Sequence, residues 1–305
     1  MNLYYNNVDI YGGVSLNYCV HEMYAEKQAD GLVLRFNDTK GVWSKWQPAE
    51  GDAIRFKEGS SDTGKMFVHS MCSENGLFTI RALSLPISGK TKKSKSWEGV
   101  RFLQIANEIA KAHGLTFQNY GCTDQVYAYL VQDNETDFAF FSRLCTLEGC
   151  QMLIYDGRLL VYNEAYLEKQ AAAGSVTIEQ NGQFLYKDNR SAGYGSCVIT
   201  CGDCSGSFTA PGTRSSAILR PAGIRVTSNG EASRFAKGLL RDANKYGRSG
   251  QFSKSLLTGY AAASLIKIKT PKASAWDGTV FVYRVRHDYV KNRSTIYFRD
   301  ILEGY

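Results

Sequence analysis

A chain of 305 residues, 44% hydrophobic and 21% charged, is long enough for two or three globular cores. No apolar run nears the ~20 residues that cross a bilayer, and the N-terminus MNLYYNNVDIYGG has neither a basic region nor an apolar core. A helical membrane span and a secretory leader are therefore not expected, and the expectation is a cytosolic protein. The net charge of +7 is mild, and Lys90, Lys92, Lys93 and Lys95 of it lie together in GKTKKSKSW. Set among Gly, Thr and Ser, these lysines read as a solvated linker; a nucleic-acid patch would interleave aromatics or follow a helix face.

Nineteen tyrosines and fifteen phenylalanines favour pleated structure, on which aromatic side chains pack well. Before the linker, GLVLRF (31–36), DAIRFKEG (52–59), KMFVHSM (65–71) and GLFTIRALSL (76–85) are short apolar runs separated by turn signals. Their spacing predicts a small β-barrel over residues 1–88, with Trp43 and Trp46 on a connection packed against it. After the linker the period becomes helical, with Phe102, Ile105, Ala106, Ile109 and Ala110 on one face. Ser96 is the expected cap, Glu98 suits the N-terminal dipole, and Gly114 is the expected stop.

A second helix follows, capped by Asn134 or Thr136, with Phe138, Phe141, Leu144 and Cys145 inward and Gly149 at its end. Asp156-Gly157 then joins two apolar runs, a strong two-residue hairpin signal. Residues 89–165 thus read as a helix–helix–hairpin domain. Strands are expected again over 175–180, 196–201, 205–210, 222–228 and 264–270, and in the final pair TVFVYRVRHDYV and STIYFRDIL. A helix over 231–246 carries Ala232, Phe235, Ala236, Leu239, Leu240 and Ala243 on one face, with Gly247 as its stop. The fold class is mainly β with an α+β insert: two small β-barrel domains, 1–88 and 166–305, flank the helix–helix–hairpin domain.

The stretch CVITCGDCSG sets Cys197, Cys201 and Cys204 in an array that also ligates iron–sulfur clusters. If 196–201 is a strand, Cys197 and Cys201 stand about 13 Å apart, too far for two thiolates on one tetrahedral metal. Cys201 and Cys204 alone form a CxxC knuckle, half of a structural zinc or iron–sulfur site, and buried free thiols are the bland alternative. The other cysteines have no framework spacing. His21, His69, His113 and His287 are far apart in sequence and read as structural, the first two in strands and His113 in a last helical turn. No G-x-S-x-G elbow, H-E-x-x-H pair or P-loop is present, so nucleophilic, metalloprotease and nucleotide chemistry lack a starting motif.

Four stretches in succession resemble the tail-hub proteins of contractile injection systems, the phage late control gene D family, and the hub half of the type VI secretion spike protein. They are PAEGDAIRFKEG with GKMFVHSM and IRALSLP; KSWEGVRFLQIANEIAKAHGLTF; ETDFAFFSRLCTLEGCQMLIYDGRLLVYN; and ASRFAKGLLRDANKYGRSGQF with WDGTVFVYRVRHDYV. The resemblance implies a non-enzymatic homotrimer, made in the bacterial cytoplasm and built into a baseplate. Two similar blocks per subunit would let three copies adapt a sixfold tail tube to a threefold spike. Its implied partners are the tube protein, the spike protein and other baseplate proteins, with nucleic acid only as a passenger of the lumen. A chain stopping at Tyr305 would leave the spike to a separate protein.

Two other classes compete. A tail-associated cell-wall hydrolase needs two carboxylates about 5 to 10 Å apart, for which Glu135 with Asp137, or Asp288 with Glu303, are the candidates. Acidic residues at a helix start are expected for capping alone, which weakens the first pair. A tail-tip glycan-binding protein would present exposed aromatics, for which Trp43, Trp46 and Trp276 are the candidates.

Overall fold

The computed structural model describes residues 1–179, 183–212, 215–270 and 273–305. The first β segment contains β1 (Asn2–Tyr5), β2 (Val8–Asp9), β3 (Ser15–Tyr24), β4 (Gly31–Asn37) and the short helix α1 (Val42–Trp46). It continues through β5 (Ala53–Glu58), β6 (Ser61–Asp62), β7 (Met66–Glu74) and β8 (Leu77–Leu83). The insert comprises β9 (Lys92–Arg101), α2 (Phe102–Ala112), β10 (Thr116–Tyr120), β11 (Val126–Thr136) and α3 (Asp137–Leu147). It closes with β12 (Cys150–Tyr155), β13 (Arg158–Asn163) and α4 (Glu164–Leu167). Then come β14 (Ser175–Thr177), β15 (Gln183–Asp188), β16 (Ser196–Cys201), β17 (Cys204–Thr209), β18 (Ile218–Leu219) and α5 (Asn229–Asn244). The last strands are β19 (Arg248–Ser255), β20 (Ser264–Lys269), β21 (Gly278–Asp288) and β22 (Arg293–Asp300).

The mainly-β composition is as expected, but the strands do not form two closed barrels. Fourteen of the described strands join in one open sheet with the main path β15-β19-β22-β21-β3-β4-β8-β7-β5-β1-β2, while β16, β17 and β18 form a separate three-stranded sheet. Strand β21 makes this possible. Its first half pairs with β20 from Gly278 to Val282, and its second half pairs with β3 from Arg284 to Asp288. A register shift between Val282 and Arg284 falls where the strand changes partner. Ladder bonds thus tie residues near position 20 to residues near position 288.

Among the described residues the apolar core divides into three large clusters and a small fourth of Ala25, Tyr162, Leu265 and Phe281. Leu34, Phe36, Trp43, Phe56 and Phe78 fill the first β segment, and Val176, Phe252, Ile266, Val282 and Phe298 fill the second. The third core belongs to the insert, yet Cys197, Ile199, Phe235 and Leu240 share it with Phe102, Ile105, Phe141 and Leu144. The β16–β17 hairpin and α5 therefore pack on the insert.

Local signals explain most insert elements. Thr136 Oγ1 accepts from Ala139 N to cap α3, and Gly149 takes φ 65° after it. Asp156 and Gly157, at φ 49° and 72°, make the expected tight turn. Helix α5 starts at a reciprocal cap: Ser228 Oγ accepts from Glu231 N, and Glu231 Oε2 accepts from Thr227 N. Gly114 closes α2 at φ 67°, but the start of α2 differs from expectation. Ser96 and Glu98 lie in β9, and the cap comes from a distant residue, since Asp124 Oδ1 accepts from Leu103 N at 3.0 Å.

The lysine-rich stretch is likewise a strand, not a solvated linker. It pairs antiparallel with β11 from Lys92↔Thr136 to Arg101↔Val126. Lys93 reaches Asp137 at 2.5 Å, Lys95 reaches Glu108 at 3.0 Å, and Lys90 pairs with Glu50. Residues 222–228 form no strand, and Gln180, the end of the strand expected over 175–180, lies outside the described residues.

Where α5 crosses the C-terminal end of α3, only glycine fits at 238. A Cβ there would stand 2.2 Å from the Leu147 carbonyl oxygen and 2.8 Å from Gly149 N. Backbone atoms on both sides leave no side chain to move aside. Gly238→Ala is expected to destabilise the fold by about 1 to 3 kcal/mol, read as a lower urea midpoint, despite alanine's better helix propensity.

Candidate assembly site: a buried charge junction and two open sheet edges

The residues singled out from sequence are scattered. Cys201 pairs with Cys204 across the Gly202–Asp203 turn, while Cys197 pairs with Phe208 at the other end of the ladder. Cys197 is fully buried, and burial pushes its thiol up to about 11. Among the described residues, no three or more His, Cys, Asp or Glu are grouped to hold a metal ion. Of the wall-hydrolase carboxylates, Glu135 pairs with Arg143 at 2.6 Å. Asp137 accepts from Lys93 Nζ and from Gln132 Nε2, and His113 Nε2 lies 2.9 Å away. Burial opposes its ionisation, but these three partners outweigh it and hold the carboxyl below the usual range, the reverse of what a general acid needs. Asp288 accepts from Lys291 N in the turn after β21. Trp43 is buried and stacks on Phe78, Trp46 is exposed and stacks on Tyr5, and Trp276 is sandwiched between Tyr186 and the Arg248 guanidinium.

His21 and His69 do sit in strands, and His113 follows the last turn of α2. The structure adds that His21 and His287 are register partners on β3 and β21, both fully buried.

Sequence reasoning missed the main polar feature. Arg241 and Lys245 at the end of α5, Arg299 on β22, Glu164 and Glu168 on and after α4, and Glu26 in the β3–β4 loop meet in one buried cluster. Arg241 Nε donates to Glu164 Oε2 at 2.9 Å, and its Nη2 stands 2.6 Å from Glu168 Oε1. Arg299 reaches the same two carboxylates at 3.2 and 2.6 Å. Lys245 pairs with Glu26, with Glu164 at 3.3 Å and with Asp242 at 2.8 Å, and Lys27 joins Asp242 from outside at 2.8 Å. Burial works against ionising Glu164, but Arg299, Lys245 and Arg241 prevail and hold it at about 2. The Lys245 ammonium is held above its usual value against its own desolvation, by Glu164, Glu26 and Asp242. A network with matched signs drawn from every segment fixes their relative orientation, because any shear would strand a buried charge.

The main path of the 14-stranded sheet has an unpaired strand edge at each end. Among the described residues β2 pairs only with β1 and exposes Val8, and β15 pairs only with β19 and exposes Phe184 and Leu185, while β14 and β6 are short side branches on β20 and β5. Free edges of this kind are templates for pairing with another chain.

A mainly-β body of this topology is the fold of tail proteins from injection machines. A tail protein of Neisseria meningitidis superposes with a TM-score of 0.77 at 9% identity, over 99% of this chain and 96% of that one. A 43 kDa tail protein of prophage MuSo2 from Shewanella oneidensis gives 0.73 at 12% identity, covering 98% of this chain and 97% of that one. An Escherichia coli component of the type VI secretion system, described as similar to the T4 tail proteins gp27 and gp5, gives 0.60 at 11% identity, covering 100% of this chain and 78% of that one. More particularly, residues 81–185 match the phage tail baseplate hub (GPD) family. The chain is thus similar to tail and baseplate hub proteins, as its sequence suggests. No curated protein matches it.

Proposed function

We propose that the chain is the structural hub of a contractile phage tail or phage-tail-like particle, a homotrimer that joins a sixfold tail tube to a threefold spike. The observation that carries this reading is the continuous sheet with free edges β2 and β15 at its two ends. Unlike edges at opposite ends suit a head-to-tail contact, which closes into a ring when the rotation per copy is a simple fraction of a turn. With three copies, the β segments before and after the insert supply six related blocks to the tube and three whole subunits to the spike. Residues 1–88, 89–165 and 166–305 act as parts of one body, locked by the charge junction. The hub works by geometry, without making or breaking a bond, and is assembled into the particle after synthesis in the bacterial cytoplasm. Its partners are the tube, the spike and neighbouring baseplate proteins.

Native mass spectrometry of the chain, alone and with its spike, tests this. The expected mass is three times 33.9 kDa, and Leu185→Lys on the β15 edge is expected to return it to monomer without changing its fold. A monomer in both samples overturns the reading. Zinc or an iron–sulfur cluster held at Cys201 and Cys204 would register as added mass in the same spectrum.

A further inference from the structure

A cavity of about 470 Å³ opens where the first β segment, the insert hairpin and the 258–263 loop meet. That volume lies within the range of small-ligand sites, about 300 to 1,000 Å³. Its walls are apolar and aromatic: Met23, Leu153 and Leu160 lie among Tyr24, Tyr120, Tyr155, Tyr162 and Tyr260. Among the described residues no lysine, arginine or histidine lines it, although the chain carries a net charge of +7. Its charged groups are two carboxylates, Asp30 and Asp62.

The tyrosine hydroxyls are engaged elsewhere. Tyr24 donates to Glu22 at 2.6 Å, Tyr120 to Gln118 at 3.1 Å and Tyr155 to the Asp62 carbonyl at 3.1 Å. Tyr162 donates to the Ala25 carbonyl at 2.5 Å and Tyr260 to the Ser175 carbonyl at 3.3 Å. What they offer a ligand is therefore aromatic ring rather than hydrogen-bond donors. The lining also holds the Ser60, Ser61 and Thr258 hydroxyls, of which Ser60 donates to Thr258 at 3.0 Å and Ser61 pairs with Tyr289 at 2.6 Å. An anion would face two carboxylates with no cation among the described lining residues.

The two carboxylates differ. Asp62 is already matched by Arg55 at 2.5 Å and Lys57 at 3.1 Å. Asp30 is 7% exposed and accepts from Tyr24 N at 2.8 Å, and among the described residues it has no ion-pair partner. Burial pushes its carboxyl up to about 7, a sign that the site lacks a cation. A buried carboxylate facing an apolar, ring-lined space is complementary to a cation on an apolar stem.

We propose that this cavity binds a guanidinium or alkylammonium group, with the charge against Asp30 and the stem along Met23, Leu160 and the tyrosine rings. The group is the side chain of an arginine or lysine on a partner polypeptide, or a free organic amine of the same chemistry. The site stands on its own geometry and does not depend on the hub reading.

Calorimetric titration of the full chain with n-butylguanidinium tests it, with n-pentanol as the uncharged counterpart. Saturable binding to one site is expected, at least about tenfold tighter than pentanol, the worth of one charge-assisted hydrogen bond. Because the ligand keeps its charge, affinity should rise by up to about tenfold from pH 6 to pH 8 as Asp30 ionises. Asp30→Asn should abolish that rise and weaken binding about tenfold. The pH arm needs only the natural chain, so it stands even if the variant folds poorly. N-acetylarginine amide binding at least as tightly as butylguanidinium assigns the group to a polypeptide, and weaker binding assigns it to a free amine. Absence of saturable binding, equal affinity for pentanol, or an affinity indifferent to pH overturns the proposal.

Discussion

Arg299→Ala is expected to be the most damaging single change in the molecule, lowering the free energy of folding by about 3 to 5 kcal/mol. The guanidinium is fully buried, contacts Glu164 and Glu168, and lies 4.3 Å over the Phe281 ring. Its own desolvation is outweighed by Glu164 and Glu168, which keep it above its usual range. Truncation leaves those carboxylates short of a partner in a site that water does not reach, so the loss includes the cost of uncompensated charge as well as that of packing. Glu164→Ala should be of similar size, since it strips one contact each from Arg241, Lys245 and Arg299. Denaturant midpoints of the purified variants check this. Arg190→Ala is the control: its pair with Asp188 is exposed, and no shift of the midpoint is expected. A midpoint unchanged in Arg299→Ala would show that the junction does not hold the segments together.

The junction was not legible in the sequence because nothing local marks it. Glu26, Glu164 and Arg299 are ordinary charged residues, each far from the others along the chain, and an isolated Arg or Glu is read as solvated. Only the packing of α4 and α5 against β22 and the β3–β4 loop makes them partners. The β9 lysines fail for the same reason in reverse. KTKKSKS has the composition of a linker, yet its strand is specified from across the ladder by β11 and by Asp137 and Glu108. Tertiary partners overrode a local composition signal. The start of α2 was misplaced because its cap, Asp124, lies 21 residues downstream of the amide it serves.

By contrast, the elements that were legible carry their instructions within a few residues: Thr136 before α3, the Asp156-Gly157 turn, and the apolar face of α5. The fused sheet sits between these cases. Its strands could be read from alternation, but the β3–β21 ladder joins residues 260 or more positions apart, and the partner change within β21 has no signature of its own. Reading two barrels from two runs of strands was the local answer to a nonlocal question. In the Cys197 array the strand over 196–201, readable from its β-branched residues, separates Cys197 from the Cys201–Cys204 turn.

That same β3–β21 ladder carries the second large effect, a loss of stability in acid. His21 and His287 face each other across it, fully buried between the two β cores. Asp62 and His287 act on His21, while Ser294 Oγ at 2.7 Å from Nδ1, the Tyr289 ring and the Tyr260 backbone surround His287. Neither nitrogen of His21 has a hydrogen-bond partner among the described residues. Desolvation, helped by the neighbouring imidazole, lowers His21 to about 3, and desolvation lowers His287 to about 4. Both are therefore neutral in the fold and take up protons on unfolding below about pH 6.5. Stability present above that pH is lost as the pH falls toward 4, by up to about 1.4 kcal/mol per histidine per pH unit. Asp30, whose carboxyl is raised to about 7, acts in the opposite sense over the same range and offsets about one histidine's share. The net loss in the natural chain is then about 1.4 kcal/mol per unit, and His21→Phe, which cannot bind the proton, should flatten it nearly to zero. Urea midpoints between pH 6.5 and pH 5 give both slopes, a window that ends above the unfolded-state titration of carboxylates at about pH 4.3, where Glu164, held low in the fold, begins to lose its contribution to the charge junction. Equal slopes in the two proteins would mean that the seam admits the proton while folded, and that the ladder joining the two β segments is not closed to water.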